Sequence, residues 1–293
     1  MNTKKRDRTY LFMILPAFIG FMILFIVPTI MSFGYSVTNW SVYKPDFQFN
    51  GLDNYTQLLS DTKNTTAIKN SIKYAIVITI FQNLFAIVFA VLLNQKRFMS
   101  NIVKSIFFFP AVLSVLVVGF LFQYIMTSSD FGLLNNIITF FGGSPVNWLG
   151  NSKIALYSVL FTQVWQWTGW SMVIYIANLK SIDSSIYEAA SIDGASKMQT
   201  LRRITLPLLY PAASFNILMC LIGGLKVFDV IFAMTKGGPG YATETIITTM
   251  IREGFNNGRT AYASAIAVVF FIIVFILTRV VTYGLNKWEE KIS

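Results

Sequence analysis

Apolar runs long enough to cross a bilayer alternate with polar stretches along this chain, at residues 10–33, 74–93, 105–126, 154–177, 208–232 and 261–283. A helix of about 20 apolar residues matches the hydrocarbon core of a membrane. The pattern predicts an all-α polytopic membrane protein with six transmembrane helices in a single domain over residues 1–293. The first run follows the basic segment Met1 to Thr9 and superficially resembles a signal peptide. It is longer than the apolar core of such a peptide and lacks a small-x-small pattern before Gly34, so it is read as a retained first span.

Composition agrees with this reading. Charged residues make up 12% of the chain and apolar residues 55%, against about a quarter charged in soluble domains. The net charge of +10 raises nucleic acid as a partner, but the basic residues form no stripe and accompany no nucleic-acid motif. Topology accounts for them better. With six spans both termini share one side, and that side carries 14 of the 23 Lys and Arg residues, including Lys4, Lys96, Arg97, Lys180, Arg202, Arg203 and Lys287. The opposite side has longer loops in total and only eight, among them Lys44, Lys69, Lys153 and Arg259, while Lys226 falls inside a span. The positive-inside rule therefore places both termini in the cytoplasm. With no histidine and a single cysteine, Cys220, the chain excludes intrachain disulfides, Cys-His catalysis and Cys/His zinc sites.

Between the fourth and fifth runs lies a polar interruption, residues 178–207, containing Glu188-Ala189-Ala190-Ser191-Ile192-Asp193-Gly194 and, nine residues on, Ile204-Thr205-Leu206-Pro207. Ser184 or Ser185 is expected to cap a first short helix. Gly194 permits a turn that a residue with a β-carbon would resist. Lys197 to Thr205 is expected to form a second helix that ends near Pro207. The small Ala189 and Ala190 leave a shallow face for a groove on another protein, flanked by Glu188 and Asp193.

The spacing Glu-Ala-Ala-x3-Gly-x9-Ile-x-Leu-Pro resembles the signature of permease subunits of ATP-binding-cassette importers. Val227-Phe228-Asp229-Val230-Ile231, the stretch Thr235-Lys236-Gly237-Gly238-Pro239-Gly240, Gly51 to Tyr55 and the first span, Leu11 to Trp40, are similar to carbohydrate importers of the maltose-permease type. The resemblance covers nearly the whole chain, but the chain lacks the large external domain and two extra leading spans of the enterobacterial maltose member. It implies the type I importer fold, with Glu188, Ala189, Ala190, Asp193 and Gly194 in a cytoplasmic coupling loop that docks on an ATPase subunit. It also implies a bacterial cell-membrane location, a second related permease, two copies of the ATP-binding subunit, an extracytoplasmic sugar-binding protein and contact with membrane lipids.

The fourth span holds Gln163, Trp165, Gln166, Trp167, Thr168, Gly169 and Trp170, an unusual concentration of indoles and amides. Stacked aromatics and amides match the ring faces and hydroxyl edges of a sugar, while amides facing lipid would be costly. Packing and interfacial anchoring are the plainer reading for tryptophans. Lys226 and Asp229, three apart in the fifth span, are expected on one helix face. A Lys or Asp at the bilayer centre costs roughly 2.5 to 3.5 kcal/mol, so they should face a cavity or each other. By the resemblance, Trp165, Thr168, Gly169 and Met172 of the fourth span, with Gly224, Lys226, Val227, Phe228 and Asp229 of the fifth, contact solute.

The reading that results is a subunit forming half of an ATP-driven, binding-protein-dependent pathway for sugars, oligosaccharides foremost, working by alternating access. No Gly-x-x-x-x-Gly-Lys-Ser/Thr phosphate loop occurs in the sequence. The chain is therefore expected not to be the ATPase, to carry no metal or other cofactor, and to depend on ATP and Mg held by partner subunits. Alternatives are a secondary transporter or channel for small polar solutes, for which only Asp229 fits as an intramembrane carboxylate, and an importer of glycerol phosphate.

Overall fold

The computed structural model describes residues 3–43, 46, 48–94, 98–128 and 131–292. Lys44, Lys96 and Arg97, counted above for orientation, lie outside the described residues. In chain order the helices are α1 (Thr3–Phe21) and α2 (Val27–Tyr35), joined by a π turn at Met22–Ile26, then α3 (Asp53–Ser60), α4 (Thr62–Leu93), α5 (Phe98–Val112), α6 (Val115–Ile125) and α7 (Leu133–Phe140). They continue with α8 (Ala155–Ser181), α9 (Ser184–Ile192), α10 (Lys197–Thr200), α11 (Leu206–Leu208), α12 (Tyr210–Leu225), α13 (Asp229–Met234), α14 (Ile246–Ile251) and α15 (Thr260–Ile292). No strand occurs among the described residues. In lipid this is the expected solution, because helices satisfy their backbone hydrogen bonds internally.

Three helices among the described residues are long and apolar enough to cross a membrane, Phe12–Tyr35, Thr62–Leu93 and Thr260–Glu290. The first, second and sixth expected spans fall on them, the second with more than two extra turns before Tyr74. The fourth is α8, whose 27 residues reach about 40 Å at 1.5 Å per residue but include the amides and hydroxyls noted above.

The third and fifth spans depart from the expected straight helices. The third bends by 97° between Asn101–Val112 and Val115–Ile125. Pro110 lies near the end of α5 and Ser114 is extended, with φ −58° and ψ 134°, so the helical ladder stops there. The freed carbonyl of Leu113 accepts a hydrogen bond from Gln166 Nε2 at 3.1 Å. The fifth stops at Leu225, Phe228 has φ −140° and ψ −59°, and a new helix starts at Asp229. Lys226 and Asp229 therefore do not share one helix face; they stand on either side of a break. The Val227 carbonyl left over by the break accepts from Thr245 Oγ1 at 3.1 Å.

The chain divides into two compact units. The first comprises residues up to Thr62 and Thr249–Ile272. Here Gly51 to Tyr55 forms a clasp. Gly51 takes φ +61°, Asn54 Nδ2 donates to the carbonyls of Ser36 and Thr38 at 2.8 Å each, and Tyr55 Oη donates to Ser36 Oγ at 2.7 Å. Trp40 stacks on Tyr35 at 4.4 Å.

The second unit comprises Lys63–Thr248 and residues from Ile273 on. It contains two apolar clusters. One gathers Tyr74, Ile78, Val118, Phe122, Leu156, Val159, Val227, Val230 and Ile231; the other gathers Ala86, Ala90, Met172, Tyr175, Leu179, Leu209 and Ala213. Helices approach closely where side chains are smallest. A β-carbon on Gly224 would stand 2.7 Å from Ala75 Cα, and one on Gly169 would overlap the Phe107 carbonyl. The Gly237–Gly238 loop is fastened to α4, since Asn70 Nδ2 donates to the carbonyls of Ala242 and Glu244, both at 3.0 Å, and Ser71 Oγ accepts from the Ile246 amide.

Candidate functional site: a cavity and an exposed helical loop

A cavity of about 320 Å³ lies among α4, α8, α12 and α13 in the second unit. That is within the range for small-molecule sites, about 300 to 1,000 Å³. Each long helix contributes one face, as a spacing of three, four and seven to eight residues requires. From α4 come Tyr74, Ile78 and Gln82; from α8, Gln163, Trp167, Trp170 and Ser171; from α12, Asn216, Met219, Cys220, Gly223 and Gly224. The break supplies Lys226, Val227 and Phe228, and α13 adds Asp229 and Val230. Lys226 and Asp229 are exposed, and no ion pair joins them.

The polar wall is ordered by hydrogen bonds between and within helices. Gln82 Nε2 donates to Ser171 Oγ at 2.8 Å and to the Trp167 carbonyl at 3.3 Å. Asn216 Nδ2 donates to the Ser171 carbonyl at 3.5 Å. Gln163 Nε2 donates to Gln166 Oε1 at 3.1 Å, which orients the amide that serves the Leu113 break. Next to the cavity, Tyr175 Oη donates to Asn83 Oδ1 at 2.7 Å. Indole and phenyl faces alternate with amides in this wall, a surface suited to a solute with apolar faces and hydroxyl edges.

Of the solute contacts expected from sequence, Gly224, Lys226, Val227, Phe228 and Asp229 are brought together in the cavity wall. Trp165, Thr168, Gly169 and Met172 lie elsewhere. Trp165 packs on Phe122 at 5.1 Å, Thr168 Oγ1 donates to the Val164 carbonyl, Gly169 admits the α5 backbone, and Met172 is fully buried in the second apolar cluster. The α8 face that turns to the cavity is Gln163, Trp167, Trp170 and Ser171, and its spacing is visible in the sequence. Tyr74, Gln82, Asn216 and Cys220 were missed. Each follows a helical repeat on its own segment, yet only the packing of α4 against α8 and α12 gives those repeats a common centre.

The Glu188 loop is a helix pair closed by local hydrogen bonds. Asp183, rather than Ser184 or Ser185, caps α9, its carboxylate accepting from the Ser185 amide at 2.9 Å. That backbone bond, with help from the Ser185 side chain, holds the Asp183 carboxyl below its ordinary range. At the other end Gly194 takes φ +73°. The Ala195 amide returns to the Ala190 carbonyl at 2.9 Å and the Gly194 amide to the Ser191 carbonyl at 3.2 Å, the paired bonds of a glycine-terminated helix. Ser196 and Gln199 then cap α10 reciprocally. Helical structure continues from Lys197 through Leu208, past Thr205 and Pro207, before a 62° bend into α12.

Glu188, Ala189, Asp193 and Gly194 are exposed and Ala190 is buried. Ile192 is 87% exposed and Met198 55%. These apolar side chains extend the outward surface beyond the residues that the sequence pointed to.

Comparison with known proteins supplies the family. Residues 82–290 match the family model described as "Binding-protein-dependent transport system inner membrane component". The chain is 33% identical to the probable ABC transporter permease protein YurN of Bacillus subtilis, with 92% of each chain covered. It is 31% identical to the trehalose/maltose transport system permease protein MalF of Thermococcus litoralis, covering 91% of this chain and 90% of that one. Among solved structures, a chain of a bacterial ABC transporter that imports the acidic polysaccharide alginate superposes with a TM-score of 0.85 at 25% identity, covering 97% of this chain and 96% of that chain. A family match over residues 82–290 and a relative 33% identical with 92% of each chain covered lead to one conclusion: this protein belongs to the binding-protein-dependent inner-membrane permeases of ABC transporters.

Proposed function

We propose that this chain is one transmembrane subunit of an ATP-driven importer of sugars, oligosaccharides foremost, and forms half of the translocation pathway. The cavity carries the reading: three helices and a helix break converge on a volume of sugar size, lined by Trp167, Trp170 and Phe228 beside Gln82, Gln163 and Asn216. Relatives named for trehalose/maltose, arabinooligosaccharide and multiple-sugar transport support the solute class.

ATP binding, with Mg, closes two copies of a separate ATPase subunit. Glu188, Ala189, Asp193, Gly194 and the exposed Ile192 dock there, with both chain termini on the same, cytoplasmic face. Because α8 runs without interruption from the cavity wall at Ser171 to the start of this loop, a displacement of the loop is carried to the wall. A second, related permease completes the pathway, and a binding protein delivers solute from the opposite face. ATP binding and the outward-open cavity then stabilise each other reciprocally.

Affinity purification of the tagged chain from native membranes, with partner masses measured and ATP hydrolysis assayed against a sugar panel, tests the proposal. Stoichiometric recovery of a second permease and two ATPase copies, with sugar-dependent hydrolysis, is expected. Recovery of the chain alone, without ATPase activity under conditions that preserve complexes, would contradict it.

A further inference from the structure

The polar groups of the cavity wall differ in one respect. The amide nitrogens of Gln82, Gln163 and Asn216 each donate to a neighbour, but the Tyr74 hydroxyl has no hydrogen-bond partner. Its residue is fully buried, and it lines the cavity on the same α4 face as Ile78 and Gln82. The ring packs in the apolar cluster with Ile78, Val118 and Val227, a place that phenylalanine would fill equally well. A buried hydroxyl that no group of the protein pairs with is an energetic liability.

We propose that Tyr74 is a solute contact whose hydroxyl, unpaired by any group of the protein, pairs with a sugar oxygen when solute is bound. The inference rests on the reading of this cavity as the sugar site and adds a residue to it from α4. A phenol both donates and accepts, so it suits a neutral saccharide hydroxyl or ring oxygen. The geometry also supplies a way for solute to reach it. The segment Lys226 to Phe228 is the stretch of the lining that lies outside a helix, and its Val227 packs in the same cluster as Tyr74. That stretch can repack without unwinding a helix, and a β-carbon at the neighbouring Gly223 would meet nothing within 4 Å. The hydrogen bond that the protein does not give this hydroxyl is supplied by bound solute, which makes Tyr74 a specificity-determining residue.

The test uses the assembled transporter without its binding protein, so that the sugar concentration seen by the cavity is the one added. Cys220, the chain's single cysteine, lines the same cavity and is 8% exposed, so a small alkylating reagent reaches it when the cavity wall opens, and the slowing of that reaction by sugar, read by mass on this chain, reports occupancy. Tyr74→Phe is expected to raise the sugar concentration that halves this rate by about tenfold, the worth of one hydrogen bond. Its melting temperature without sugar should be unchanged or higher, because an unpaired hydroxyl has been removed. A monodeoxy analogue lacking the partner hydroxyl should protect wild type about tenfold less well than the parent sugar, and should lose nothing further against Tyr74→Phe. A lower melting temperature in Tyr74→Phe with unchanged sugar protection would overturn the proposal and make the hydroxyl structural. A wild-type complex in which no sugar slows alkylation would overturn the cavity reading as a whole.

Discussion

Ser171, at the cavity, is 1% exposed with its hydroxyl and carbonyl both engaged by amides from other helices, whereas Ile192, past the end of the same α8, stands 87% exposed. The cavity gathers polar groups into an apolar environment and pairs them across helices, as a membrane interior requires. The Glu188 loop pairs its polar backbone locally, through Asp183, Gly194, Ser196 and Gln199, and leaves both charged and apolar side chains facing outward. One region pairs most of its polar groups across helices; the other turns an exposed surface outward. On the proposed function, this difference puts solute recognition and docking in separate places and predicts that mutations in them fail differently.

The largest contrast is between two glycines. Gly169→Leu drives a side chain into the α5 backbone and should cost about 3 kcal/mol or more, seen as loss of folded protein by size-exclusion chromatography and thermal unfolding. Gly194→Ala meets no atom within 4 Å, and only its φ of +73° opposes the change, so it should cost about 1 kcal/mol. Equal effects at the two sites would erase the distinction.

In the loop, Glu188→Lys and Ile192→Asp should each reduce sugar-stimulated ATP hydrolysis and subunit recovery by tenfold or more, on the order of an interface hot spot of about 2 kcal/mol. Melting of the isolated chain should be unaffected. A fall in melting temperature with full assembly would mean that these side chains serve the fold.

Ser171→Ala should act in the opposite sense. It leaves Gln82 with the Trp167 carbonyl alone and should destabilise by about 1 to 3 kcal/mol while ATPase subunits are recovered normally.

The smallest effect concerns pH. The Asp183 carboxyl is held below its ordinary value by the Ser185 amide. Its capping contribution is therefore complete above the unfolded carboxylate range of about 3.9 and is lost as pH falls through the lower folded value. Proteolysis near α9 should rise only in that acidic window, and Asp183→Asn should flatten the profile. Fraying that begins near neutrality would point to another group.

Helices over the first, second, fourth and sixth apolar runs were legible in the sequence because each needs its own run of apolar residues. The Glu188 loop was legible because a glycine with positive φ and a capped second helix are local requirements. The breaks at Ser114 and Lys226 were hidden, since the residues that satisfy them, Gln166 and Thr245, are distant in sequence. For the same reason the α8 face that lines the cavity was not the one expected to contact solute. Trp165, Thr168 and Gly169 were singled out by the resemblance, but Gly169 packs against the α5 backbone while Trp167 and Ser171 line the cavity. Tyr74 carried no signal beyond its helical spacing with Gln82.

The most direct test of the account joins its two regions in one measurement, the alkylation rate of Cys220 in the fully assembled wild-type transporter, with and without sugar and with and without a non-hydrolysable ATP analogue. The account predicts that sugar slows the reaction and that the nucleotide changes the rate through the intact loop but not in Glu188→Lys. A Cys220 rate indifferent to sugar and to nucleotide would contradict a solute cavity coupled to ATP through that loop.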